Sequence, residues 1–160
     1  MSLTTYHIKD LLSLERTCCN VKLDSKKRVL QLASELICEQ DPELNDKTLF
    51  DALIAREKLG STCVGHGVAI PHARMANVDY IIGSLIHLKS PINFDNFDEV
   101  TVDIIFTLIV PEQATDEHLQ VLSMLAKTFS DKGFRNCLRH AKNPAELYQK
   151  AIDYHDEYDH

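Results

Sequence analysis

Apolar residues recur at helical spacing twice in the first third of the chain. Over 25–39, Val29, Ala33, Leu36 and Ile37 share one face, and Asp24 or Ser25 can cap the start. Over 46–59, Leu49, Phe50, Leu53 and Ile54 do the same. Gly60, free to adopt the left-handed conformation that ends many helices, supplies the stop. The pattern then turns to strands. Positions 64–70 form a short apolar run closed by Pro71, and 80–88 are rich in isoleucine and leucine. The run 100–110 (Val-Thr-Val-Asp-Ile-Ile-Phe-Thr-Leu-Ile-Val) is apolar on both faces in its second half. A strand of that kind is covered from both sides, as in the centre of a three-layer domain. Between them, 91–96 (Pro-Ile-Asn-Phe-Asp-Asn) carries turn residues and reads as a loop.

After Pro111 a helix is predicted to open near Thr115, with Leu119, Leu122, Leu125, Ala126 and Phe129 inward, and to end at 131–133. A short helix over 134–140 follows. The last helix has the clearest start: Asn143 as cap, Pro144 in the first position and Glu146 three residues after the cap. The tail 154–160 is expected to fray. Helices before, after and around a mixed sheet predict an α/β (α+β) fold, a three-layer α/β/α sandwich with a mixed central sheet.

Composition narrows the function more than the fold. No repeat or long linker divides the 160 residues, so one domain is expected over 1–160, with its core at about 8–153. No apolar run approaches the roughly 20 residues that span a bilayer, and the N-terminal Met-Ser-Leu-Thr-Thr-Tyr-His has neither part of a secretory signal. A cytoplasmic protein without membrane insertion is expected. The net charge of −7, with no basic cluster beyond Lys26-Lys27-Arg28, argues against nucleic-acid binding. Five cysteines are an odd count with no Cys-x-x-Cys pair, against both a disulfide framework and a thiolate zinc site. Cys18 and Cys19 are adjacent, so they face different ways.

The candidate chemistry lies at 56–73, Arg-Glu-Lys-Leu-Gly-Ser-Thr-Cys-Val-Gly-His-Gly-Val-Ala-Ile-Pro-His-Ala. His72 follows a proline-closed strand, on stiff backbone. A neutral imidazole with one free nitrogen is a phosphoryl acceptor, and an ordinary histidine is neutral at cytoplasmic pH. The transferred group is dianionic and needs donors and positive charge. Arg56 offers a two-pronged guanidinium, Ser61 and Thr62 offer hydroxyls, and Gly65 and Gly67 let backbone amides come close. His118 falls in the first turn of its helix, where free N–H groups and the dipole favour an anion. Each has a plainer reading: a structural His72, an Arg56 paired with Asp51 or Glu57, glycines that only make a turn, a surface His118. The case rests on the set.

That spacing resembles a known signature. Glu57, six residues, Val64-Gly65, two residues, then Val68-Ala69-Ile70-Pro71-His72-Ala73 is similar to the active-site signature of the fructose/mannitol-type enzyme IIA of the bacterial phosphotransferase system. Ser25-Lys26-Lys27-Arg28 resembles the nitrogen-regulatory branch, and 116–122 (Asp-Glu-His-Leu-Gln-Val-Leu) resembles the family's second active-site histidine helix. About 140 residues can be laid over the family. The resemblance implies that His72 takes a phosphoryl group on its distal (tele) nitrogen from a small HPr-like phosphocarrier of the NPr type. His118 then lies beside the phosphate, and Arg56 stabilises charge. It implies no cofactor and no resident metal. His66 is a departure, since relatives more often place an amide or a carboxylate there; it reads as a rim residue.

Two outcomes follow from the same His72: a regulator whose phosphorylation decides which target proteins it binds, or a sugar-specific enzyme IIA that passes phosphate to a cysteine on an enzyme IIB. The absence of fused segments leans toward the regulator. A binding module with a vestigial His72 is opposed by intact Arg56 and His118. A metal site built from His66, His72 and His118 lacks a recognisable ligand spacing.

Overall fold

Short polar side chains start the helices. Ser25 Oγ accepts the Arg28 N–H at 3.2 Å and opens α1 (Lys26–Glu39). Asn45 Oδ1 accepts from Thr48 N at 3.0 Å at the head of α2 (Asp46–Leu59). The computed structural model describes residues 6–95, 100–113 and 115–154. Two 3-10 turns (Ile8–Asp10, Leu14–Arg16) lead into β1 (Thr17–Val21), followed by α1 and α2. A hairpin of β2 (Cys63–Gly65) and β3 (Val68–Ala69) comes next, then β4 (His72–Met75), β5 (Ile82–Asp95) and β6 (Val100–Pro111). The chain closes with α3 (Thr115–Phe129), α4 (Lys132–Arg139) and α5 (Pro144–Asp153). Asp131 caps α4, and Asn143 caps α5 by accepting from Glu146 N at 2.8 Å, with Pro144 in the first turn.

The sheet order is β1-β5-β6-β3-β2, with β4 also paired to β6. The β5–β6 and β2–β3 pairs are antiparallel; β1–β5, β3–β6 and β4–β6 are parallel, so the sheet is mixed. Strand β6 shows why three layers form. Ile105 and Ile109 join the core under α1 and α2, while Ile104, Phe106, Leu108 and Val110 join the core under α3, α4 and α5. All six are fully buried. Cys18 and Cys19 go to different cores, as their adjacency requires, and no disulfide joins any of the five cysteines. No helix among the described residues is long and apolar enough to cross a membrane.

Four sequence expectations need correction. Residues 91–95 are strand, not loop: Ile92 and Phe94 alternate inward, and a register shift between His87 and Ile92 accommodates Pro91, which has no N–H to offer a ladder. The run 64–70 is not one strand. Gly65, His66 and Gly67 all have positive φ (96°, 56° and 82°) and fold it into the β2–β3 hairpin. The inward face of α3 is His118, Val121, Leu125 and Phe129; Leu119 is 64% exposed, Ala126 is exposed and Leu122 only half-buried. Gly60 ends α2 at φ 158°, ψ 151°, extended rather than left-handed. The expectations for Asn96 and for 155–160 fall outside the described residues.

Candidate active site

β3 and β4 lie in one line along β6. Val68 pairs with Ile104 and His72 with Leu108, in the same register, and only Ile70–Pro71 interrupts the ladder. The interruption frees a carbonyl. His72 Nδ1 lies 2.8 Å from the Ile70 oxygen; a carbonyl only accepts, so Nδ1 carries the ring proton and Nε2 keeps its lone pair. The backbone thus fixes both the tautomer and the orientation of the ring.

On a strand, side chains alternate between faces. Ala73 and Met75 enter the α1–α2 core, so His72 projects toward the α3 layer. There it meets His118. The two ring centroids are 5.3 Å apart at an interplanar angle of 75°, edge to face. His118 is 6% exposed, and its Nδ1 is buried without a hydrogen-bond partner among the described residues. Burial lowers the pKa of His72; the Ile70 carbonyl opposes this, the nearby Arg56 cation adds to it, and Glu57 opposes it. His118 is lowered by burial first, then by His72, Arg74 and Arg56. Both rings are held neutral.

Arg56 sits in the last turn of α2 and donates from Nη1 to the Gly60 carbonyl at 3.0 Å. It therefore pairs with neither Asp51 nor Glu57 among the described contacts; it stays a cation whose field reaches both rings. Glu57 has a different job. Its buried carboxylate accepts from the Thr62 hydroxyl, from Thr62 N at 3.4 Å, and from Lys26 Nζ at 2.8 Å. Thr62 O in turn accepts from Ile70 N at 3.0 Å. Glu57 thus ties α1, the end of α2 and the residue that orients His72 to one another.

Thr62 is therefore beside the site, with its hydroxyl already committed to Glu57. Ser61 is exposed, and its Oγ accepts from Cys63 N at 3.2 Å. Gly65, His66 and Gly67 are not gathered with His72. They form the hairpin tip six residues back along the strand line, about 20 Å away at the usual rise. The tip is braced from behind: Arg139 Nη2 donates to the His66 carbonyl at 2.6 Å and pairs with Asp103 Oδ1 at 2.8 Å. A Cβ on Gly67 would lie 2.6 Å from Arg139 Nη2, so the glycine permits close packing there. Among the described residues no group of three or more His, Cys, Asp or Glu could hold a metal ion, the set His66, His72 and His118 included. Sequence reasoning missed Arg74. Its signal was the alternation His72-x-Arg74, lost because the predicted strand stopped at Pro71.

Comparison with known proteins fits this geometry. The family described as "Phosphoenolpyruvate-dependent sugar phosphotransferase system, EIIA 2" matches residues 10–153. The chain belongs to that family. The nitrogen regulatory protein of Pseudomonas aeruginosa is 41% identical over 146 residues, 91% of this chain and 95% of the relative. The crystal structure of nitrogen regulatory protein IIA-Ntr from Neisseria meningitidis has a TM-score of 0.81 at 41% identity, covering 90% of this chain and 98% of that one. The mannitol IIA of Escherichia coli shares the fold, with a TM-score of 0.69 at 20% identity over 88% of this chain and 98% of that one. Within the family this chain thus resembles the nitrogen-regulatory members, and the sandwich expected from its sequence is the family's fold.

Proposed function

We propose that this chain is a single-domain cytoplasmic phosphocarrier that accepts a phosphoryl group on Nε2 of His72 from an HPr-like carrier of the NPr type. Its phosphorylation state then regulates which proteins it binds, in nitrogen regulation, for which its relatives are named, and in metabolic regulation more widely. The observation that carries the reading is the Nδ1 contact to the Ile70 carbonyl, which leaves Nε2 free beside His118.

In the transfer step the Nε2 lone pair forms the new N–P bond as the carrier's N–P bond breaks. The carrier's ring, protonated on its other nitrogen, takes back that electron pair and leaves as a neutral imidazole. His72 keeps its Nδ1 proton and becomes cationic, and the Ile70 carbonyl stabilises that charge. His118 hydrogen-bonds the phosphoryl oxygens, supported by the free N–H groups of the first turn of α3. Arg56 offsets charge. Thr62 supports the loop through Glu57, and Ser61 is the nearby hydroxyl still open to solvent. Gly65, His66 and Gly67 serve by shaping the hairpin that feeds the strand line.

Exposed apolar side chains adjoin the site. Leu59 follows Arg56 by three residues and is 85% exposed; Leu119 follows His118 directly and is exposed too. They suit docking of another protein rather than of a small substrate. A phosphoryl group adds nearly two negative charges at that face, on a chain already at −7. Incubation with phosphoenolpyruvate, the first enzyme of the relay and its carrier, followed by mass spectrometry, tests the reading. One phosphate on His72 is expected, and none on His72→Ala. Acid-labile label retained by that variant, or equal binding of phosphorylated and unmodified protein to every target, would overturn it.

A further inference from the structure

Arg74 stands two residues beyond His72 on the same strand. Ala73 and Met75, on either side of it, enter the α1–α2 core. His72 and Arg74 pair in register with Leu108 and Val110, which belong to the opposite core, so both project toward α3. Same-face neighbours on a strand are about 7 Å apart at the backbone, within reach of an extended guanidinium. Arg74 is exposed, whereas His72 is half-buried.

Four other arginines of the fold are occupied. Arg16 donates to the Gly83 and Leu11 carbonyls, Arg56 to Gly60, Arg135 to Phe129, and Arg139 to Asp103 and His66. Among the described residues Arg74 has no hydrogen bond or ion pair. Its charge nonetheless acts on His118, more strongly than that of Arg56. An uncommitted fork-shaped donor therefore stands on the same strand face as His72, whose Nε2 keeps its lone pair, and the group most complementary to it is a dianionic phosphoryl group.

We propose that Arg74 closes onto the phosphoryl group carried by His72 and contacts its oxygens through the guanidinium, while Arg56 remains tethered to Gly60 and contributes only a fixed field. This rests on His72 being the phosphoryl acceptor. Arg74 is then a catalytic residue of the transfer and the clamp of the loaded state. A merely solvated surface arginine would do neither.

Phosphoramidate, a small phosphoryl donor, separates contact with phosphate from docking of a carrier protein. With it, Arg74→Gln is expected to load His72 about ten- to hundredfold more slowly, the rate equivalent of one charge-assisted hydrogen bond. In a ³¹P titration of the loaded proteins, the second ionisation of the phosphoryl group moves to higher pH in Arg74→Gln, because a cation that favours the dianion has gone. Arg74→Lys, which keeps the charge without the fork, falls between the two. Melting curves equal to the parent's are expected, since the side chain is exposed. If His72 of Arg74→Gln loads at the parental rate with an unchanged ³¹P midpoint, the clamp is wrong and the carrier function stands. If the parent protein takes no phosphate on His72 from phosphoramidate or from the phosphorylated carrier, both fall.

Discussion

Replacing Glu57 with Ala tests whether the first fixed residue of the signature is a scaffold rather than a chemical group. The substitution strands the Thr62 hydroxyl and N–H and leaves the Lys26 ammonium beside the Phe94 ring, 4.7 Å from its centroid, with no carboxylate. Removing one partner of a buried ion pair costs about 3–5 kcal/mol. The Lys26 side chain is 27% exposed and can turn to water, so about 3 kcal/mol, the low end of that range, is expected. For a domain of this size that is a fall in melting temperature of about 6–12 °C. Lys26→Met keeps both Thr62 donors but leaves the buried Glu57 carboxylate without its cation, so a loss of about 3 kcal/mol is expected there too. Urea melts of the two variants and of the double variant measure the coupling directly. Below its melting point Glu57→Ala should also accept phosphate more slowly, because Thr62 holds Ile70 and Ile70 holds the ring. A Glu57→Ala melt within about 2 °C of the parent's would refute the scaffold role.

The corrected face of α3 predicts a contrast: Leu125→Ala, at a fully buried position, loses about 2–5 kcal/mol, whereas Leu119→Ala stays within about 0.5 kcal/mol because its side chain is already in water. Equal losses in thermal melts would show the face to be misassigned. The pH dependence has a definite sign. Burial lowers His72, His87 and His118 below the ordinary value of 6.5, so the unfolded chain binds protons first as pH falls. Stability should therefore hold above pH 6.5 and decline below it, and phosphate acceptance should stay level down to 6.5 and fail only at lower pH. An acceptance midpoint at or above 6.5 would contradict a buried, neutral acceptor.

How far these features could be read in advance depended on whether they were local. The caps of α1 and α5 and the full span of α2 followed from short-range chemistry, and β6 announced both cores by being apolar on both faces; Asp131, read as the end of α3, instead caps α4. The signature spacing singled out His72 as a candidate, and helical position placed His118 near an N-terminus. What stayed hidden was set by distant partners. β1 carries a weak pattern, Thr-Cys-Cys-Asn-Val, and is a strand because β5 pairs with it. Pro91 argued for a loop until a bulge gave it room. The glycines of the hairpin read as places where backbone amides come close to phosphate; only the β6 register shows how far they lie from His72. Glu57 could not be matched to Lys26 by sequence alone, since the two belong to different helices.

The site takes its parts from both sides of the sheet: Arg56 from the α2 layer, His118 from the α3 layer, and His72 from the strand between. A chain with only one helical layer docked would still own a reactive imidazole but would lack either the tethered cation or the second ring. Under the proposed carrier function, competence to receive phosphate is therefore a coincidence detector for complete folding. Half-assembled molecules would then be silent rather than sources of mistimed signal.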